Sequence, residues 1–162
     1  MEIDQEKFNK LRQQAEKDYE AIGKIKCPYL KDDIHFNSVG FQHLLFKSWN
    51  RTRSEVEQYN RLKLLPLAIE VISKSNTLQE YDERKEFVRQ KTNSRWCKTL
   101  KLVRYYAFVA VIRDKEIRIK IIVKEIEGGA KIFYSLYPLF RVVKDSFGRN
   151  KKLFYSGDLE CN

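Results

Sequence analysis

The spacing of apolar and polar residues along this chain changes once, near residue 100, from a helical to an extended period. Phe8, Leu11, Ala15, Tyr19 and Ile22 follow one another at intervals of three and four, which gathers them on one face of a helix. Asp4 is a fair N-cap for it, and Gly23 ends it where a left-handed residue is favoured. That stripe must dock on something: the domain body, a second copy or a partner. After a bend at Cys27-Pro28, the run Asp33-Ile34-His35-Phe36 reads as a brief strand, and Asn37-Ser38 cap a short helix from Val39 to Lys47. Ser54-x-x-Glu57 is a capping box, opening a helix through Val56, Tyr59 and Leu62. Pro66 predicts a kink or a second helix beginning there, and Leu67 to Ile72 is apolar enough to be buried. Residues 73–95 are polar and charged, with an exposed helix expected around Glu80 to Arg89.

From about Leu100 the period is 2. Leu102 to Arg113, Glu116 to Glu127 and Ala130 to Val142 read as successive strands, with tight turns at Asp114-Lys115 and Gly128-Gly129. Pro138 marks an edge or the end of the last strand. Lys144 to Lys152 forms a basic turn, and Leu153-Phe154-Tyr155 is a candidate closing strand. The expected class is therefore α+β: N-terminal helices followed by an antiparallel β-meander. The expected organisation is an amphipathic helix over 1–26, then one α+β domain over 27–162. Its helical half spans about 38–93 and its sheet half about 100–155.

With 162 residues the chain is one domain's worth. Its opening Met1-Glu2-Ile3-Asp4 is acidic, unlike a signal or transit peptide. No apolar run approaches a membrane span. Three cysteines, Cys27, Cys97 and Cys161, form no CxxC and no even-numbered disulfide framework. These features predict a cytoplasmic protein in a reducing compartment, with no membrane contact. Charge adds a functional clue. The net charge is +10, and residues 94–162 carry 15 basic against 7 acidic side chains. A smaller basic group surrounds Arg51, Arg53 and Arg61. Such clustering attracts phosphate backbones or anionic surfaces.

Alternation sorts the middle strand. Ile117, Ile119, Ile121 and Val123 share one face, while Arg118, Lys120, Ile122 and Lys124 share the other, a basic stripe in front of the sheet. The next strand puts Phe133, Ser135 and Tyr137 on one face. A hydroxyl flanked by aromatics beside cations suits a phosphate with a stacked base. Of Tyr105 and Tyr106 on the preceding strand, one must share that face; Tyr106 joins Arg118 and Lys124 as a candidate RNA contact.

Two histidines, His35 and His43, allow no multi-imidazole metal site, and the cysteines offer no zinc spacing. Convergent carboxylates for two-metal cleavage are missing from the pattern, as are P-loop, GxGxxG and nucleophile-elbow motifs. No metal or cofactor is expected. Metal-free RNA cleavage needs only a base, an acid and cations around the phosphorane. His43, just before Arg51-x-Arg53, is the candidate acid–base group.

The run Val39-Gly40-Phe41-Gln42-His43-Leu44-Leu45, then Arg51-Thr52-Arg53 and Arg61-Leu62-Lys63-Leu64-Leu65-Pro66, resembles the helical half of phage-associated domains of the barnase–EndoU–colicin–RelE nuclease superfamily. Arg118 to Val123 followed by Phe133 to Pro138 is similar to its sheet half. The resemblance covers about residues 33–140. It implies a helix-plus-antiparallel-sheet, metal-independent endoribonuclease of the toxin type, from a mobile element. It implies catalytic roles for His43, Arg53, Lys120 and Ser135, and RNA contacts from Arg51, Arg61 and Tyr137. The partners it implies are single-stranded RNA or tRNA and an antitoxin or immunity protein. EndoU-type members use two histidines, a place that His35 would have to fill. The alternative is a non-catalytic nucleic-acid-binding module using the same basic face, and a homodimer through the N-terminal helix is a further expectation.

Overall fold

A computed structural model describes residues 3–48, 50–112, 117–139, 141–144 and 146–153. The order is α1 (Gln5–Ile22), β1 (Lys24–Cys27), β2 (Asp32–His35), α2 (Ser38–Leu45), β3 (Phe46–Ser48), β4 (Arg51–Thr52), α3 (Glu55–Lys74), β5 (Glu80–Thr92), β6 (Arg95–Ile112), β7 (Ile117–Ile126), β8 (Lys131–Pro138), β9 (Arg141–Lys144) and β10 (Asn150–Leu153). This is an α+β arrangement of three helices and a mostly antiparallel mixed sheet among the described residues. The main sheet runs β1-β2-β8-β7-β6-β5, and only the short β2–β8 pairing is parallel. β9 and β10 pair with each other as a separate hairpin. The expected turn at Asp114-Lys115 and the closing strand beyond Leu153 lie outside the described residues, as does Cys161.

Local chemistry explains the helices. Asp4 accepts from the backbone N–H groups of Glu6 and Lys7 at the start of α1. The reciprocal Ser54–Glu57 capping box opens α3. Pro66 does not divide α3, which runs through it as one helix. The stripe of α1 is used within the domain: Phe8, Ala15 and Tyr19 are buried in one core with Leu62, Leu65 and Ala68 of α3. That core lies on the sheet face carrying Ile119, Ile121, Val123 and Phe133. No helix among the described residues is long and apolar enough to cross a membrane.

Two sequence expectations change here. Residues 80–92 form a strand, not a helix, so the consecutive antiparallel strands begin at Glu80 and not near Leu100, and β1 and β2, which precede α2, also belong to the main sheet. Strand β5 pairs with β6 from Glu80↔Ala107 to Thr92↔Arg95. In addition, β8 carries a bulge where Ile122 faces Ser135 and the adjacent Val123 faces Phe133. The extra residue, Tyr134, joins Ser135 and Tyr137 on the sheet's second face, and Phe133 is turned into the helix-side core instead. A strict period of 2 cannot register such an insertion.

Candidate functional site

The site grows from one close approach. Ser38–Leu45 is capped by Asn37, whose side chain accepts from Gly40 N. A Cβ on Gly40 would lie 2.1 Å from the carbonyl oxygen of Phe133 and 2.5 Å from the Tyr19 hydroxyl, so only glycine lets α2 sit this close to β8. One turn later, His43 stacks on Tyr134, with ring centroids 4.0 Å apart and planes inclined at 28°. The bulge that brings Tyr134 to this face and the glycine that seats α2 act together.

His43 is buried, and neither ring nitrogen has a hydrogen-bond partner. Burial, then the charges of Arg53, Arg61 and Lys124, push its pKa down to about 3. The ring is neutral at physiological pH. Arg53 follows the β3–β4 ribbon and covers the end of α2: its backbone N–H donates to Leu45 O at 2.9 Å and its Nε donates to His43 O at 3.1 Å. Its Nη2 is buried without a hydrogen-bond partner. Arg61 projects from the buried side of α3. Its Nη1 donates to Ser135 Oγ at 2.7 Å and to Leu136 O at 3.0 Å, and its guanidinium lies 5.3 Å from the Tyr137 ring centroid. Strand β2 pairs with β8 only as far as Ile132, so beyond that point this edge of β8 draws a donor from α3 instead. Burial, with Arg53 nearby, pulls the Arg61 pKa down to about 9, which leaves it charged.

The second face is less basic than its own strand suggests. Lys120 is fully buried and donates to Glu80 Oε2, and Lys124 lies 3.9 Å from Glu86. Both acids belong to β5, where Glu80, Asp82 and Glu86 alternate on the same side as the lysines. A helix over 80–89 would not have set these acids beside the lysines; the strand does. Lys120 also stands 6.0 Å from the Tyr137 ring centroid, and Lys124 4.8 Å from that of Tyr134.

In front of His43 and Tyr134 opens a cleft of about 780 Å³. Lys47, Arg51 and Lys124 supply its cations, with Gln42, Ser38 and Ser48 adding amide and hydroxyl groups; none of its described lining residues is a carboxylate. Lys47 approaches Glu57 to 3.5 Å. Of the residues singled out from sequence, His43, Arg51 and Lys124 line this cleft. Arg53, Arg61, Ser135 and Tyr137 are buried within the same constellation, and Lys120 adjoins it through Tyr137. Arg118 shares their face of β7 but does not line the cleft. Tyr106 does not share that face. It packs on the helix-side core and donates to Glu125 at 2.7 Å, while Tyr105 occupies the second face under Lys124 and Arg84. His35 pairs with Lys24 and Ile132 and does not line the cleft. Among the described residues no group of three or more His, Cys, Asp or Glu side chains is placed to hold a metal ion.

Tyr134 and Lys47 were not selected from the sequence. Comparison with protein-family models, curated proteins and solved structures finds no match for this chain.

Proposed function

We propose that the protein is a metal-independent endoribonuclease whose reaction centre is the His43 wall of the cleft. The observation that carries this reading is a pair of unmet needs. A neutral imidazole and a guanidinium, both buried, have nitrogens without hydrogen-bond partners beside a cleft whose described lining has cations and no carboxylate. Leaving such groups unpaired costs about 1–3 kcal/mol each, more for charged ones, and the charge of a phosphate in the cleft would offset the crowding of Arg53, Arg61 and Lys124 on the imidazole. The neutral imidazole takes the proton from a ribose 2′-hydroxyl. The 2′-oxygen attacks phosphorus, the 5′-oxygen leaves with a proton drawn from the Lys124 ammonium, and a 2′,3′-cyclic phosphate remains. Arg53 and Arg61, buried behind the wall, stabilise the added charge of the phosphorane through their own positive charge, Arg51 and Lys47 steer the backbone, and Tyr134 forms the wall. The resemblance to the barnase–EndoU–colicin–RelE superfamily supports the same reading and adds an antitoxin or immunity protein as the natural partner of such a toxin.

A second reading, RNA binding without cleavage, draws on two other contacts: Lys120 is committed to Glu80 and the Ser135 hydroxyl to Arg61. The two readings part in an assay of single-stranded RNA and tRNA in excess EDTA. The nuclease reading expects cleavage by the wild type and a loss of roughly 10²–10⁴-fold in His43→Ala, with RNA binding retained. Bound but intact RNA replaces it with the binding reading, and RNA that is neither bound nor cut overturns both.

A further inference from the structure

The β5–β6 hairpin leaves the sheet. The β6–β7 pairing stops at Val103↔Ile126, so the eight cross-strand pairs from Lys85↔Leu102 to Thr92↔Arg95 have no third strand beside them. At the usual rise this ribbon projects roughly 25 Å. Asn93 and Ser94 close it with φ of 48° and 63°, the left-handed pair that a two-residue hairpin turn uses.

Residues opposite each other on paired strands share a face, and the two faces of this ribbon differ. One presents Lys85, Arg89, Lys91 and Lys98 between Phe87, Trp96 and Leu100, with no carboxylate in the projecting part. Its apolar side chains are bare: Phe87 is 74% exposed, Trp96 61% and Leu100 51%. Arg89 lies 5.0 Å from the Trp96 ring centroid. None of the four cations is in an ion pair among the described residues. The other face mixes Glu86 with Lys101 and Arg95 and carries no aromatic ring. Phe87 and Leu100 are cross-strand partners, yet each keeps more than half of its surface exposed. Aromatic side chains interleaved with unpaired cations are what a single nucleic-acid strand needs, since phosphates take the charge and bases stack on the rings with little regard to sequence. At the root of the ribbon Glu86, on its other face, lies 3.9 Å from Lys124, so the aromatic face and the cleft stand on opposite sides of the sheet.

We propose that this face of the ribbon is a second nucleic-acid surface, distinct from the cleft, which holds single-stranded RNA with bases stacked on Phe87 and Trp96 and phosphates on Lys85, Arg89, Lys91 and Lys98. It rests on the reading of the protein as one that takes RNA. A surface of this length predicts an affinity that grows with strand length.

The test is titration of the full chain with a uridine dodecamer and with a uridine dinucleotide, followed by anisotropy and by Trp96 emission in a Trp49→Phe background. The dodecamer is expected to quench Trp96 and to bind at least tenfold more tightly than the dinucleotide. Phe87→Ala/Trp96→Ala is expected to erase that length preference. Lys91→Ala/Lys98→Ala is expected to lower the slope of log affinity against log salt by roughly 1.4, as for two lost single-strand phosphate contacts. Far-UV circular dichroism at each variant's working temperature verifies folding. Dodecamer affinity unchanged in both double variants overturns the ribbon proposal and leaves the cleft reading to its own cleavage assay. Ribbon-dependent binding of RNA that stays intact supports the ribbon while overturning the nuclease. Ribbon-dependent binding to phosphatidylserine vesicles without binding to the dodecamer overturns it in favour of a membrane surface.

Discussion

His43 couples the site to pH. An ordinary histidine titrates near 6.5, and this one is pushed down to about 3 by burial and then by Arg53, Arg61 and Lys124. The unfolded chain therefore takes up a proton at His43 that the folded chain refuses. The resulting stabilisation is fully present above pH 6.5 and is lost as pH falls toward 3, a swing on the order of a few kcal/mol. Carboxylates add their own acid sensitivity, so the informative quantity is a difference between variants. His43→Phe keeps a ring on Tyr134 and removes the proton. Urea unfolding at pH 7.5 and pH 5 is expected to show a smaller loss for His43→Phe than for the wild type; equal losses contradict the burial of a neutral imidazole. His43 and Arg51 were legible as residue types in a basic stretch. Arg61 was legible only as a cation, because nothing in the sequence announces that a bulge will set Ser135 Oγ and Leu136 O before it. Tyr106 is not legible for the opposite reason: two adjacent tyrosines on a strand face opposite sides, and only the register with β7 shows that Tyr105, not Tyr106, stands beside Lys124.

At the scale of elements, the site depends on how closely α2 lies on β8. Gly40→Ala must displace the Phe133 backbone or lift α2, because the new Cβ meets a carbonyl oxygen at 2.1 Å and no flexible side chain can yield there. The expected cost is about 1–3 kcal/mol or more by denaturant unfolding, together with loss of cleavage as His43 shifts from Tyr134. An alanine variant of wild-type stability contradicts the close approach. The elements themselves were read unevenly. The capping signals of α1 and α3 and the extended period of β6 and β7 are plain in the sequence, because the caps stand at the helix starts and Ile119 and Ile121 alternate with Lys120 and Lys124. Strand β5 was not, because Glu80–Thr92 is rich in charged residues that also favour helix and most of it projects beyond the sheet, leaving no dry face to alternate. Missing β5 also hid the acids that neutralise Lys120 and approach Lys124, so the second face looked more basic than it is.

For the whole molecule, the fold joins the two basic regions that the sequence keeps apart. The stretch containing His43, Arg51, Arg53 and Arg61 wraps the edge of β8 and meets Lys124, Tyr134, Ser135 and Tyr137, residues some 75–90 positions away in the chain. The helices cover the Ile119/Ile121 face, as the alternation implies, yet α2 and the start of α3 reach the other side through the open edge that β2 leaves. The reaction proposed for that arrangement is in-line attack by a 2′-hydroxyl at the His43 wall. The most direct test is a deoxyoligonucleotide carrying a single ribonucleotide, incubated with the protein in excess EDTA and analysed by mass. The account predicts one cut, 3′ to the ribonucleotide, with a 2′,3′-cyclic phosphate on the upstream fragment. Cuts at deoxy positions, a requirement for added divalent metal, or an intact strand under conditions where the oligonucleotide is bound would contradict it.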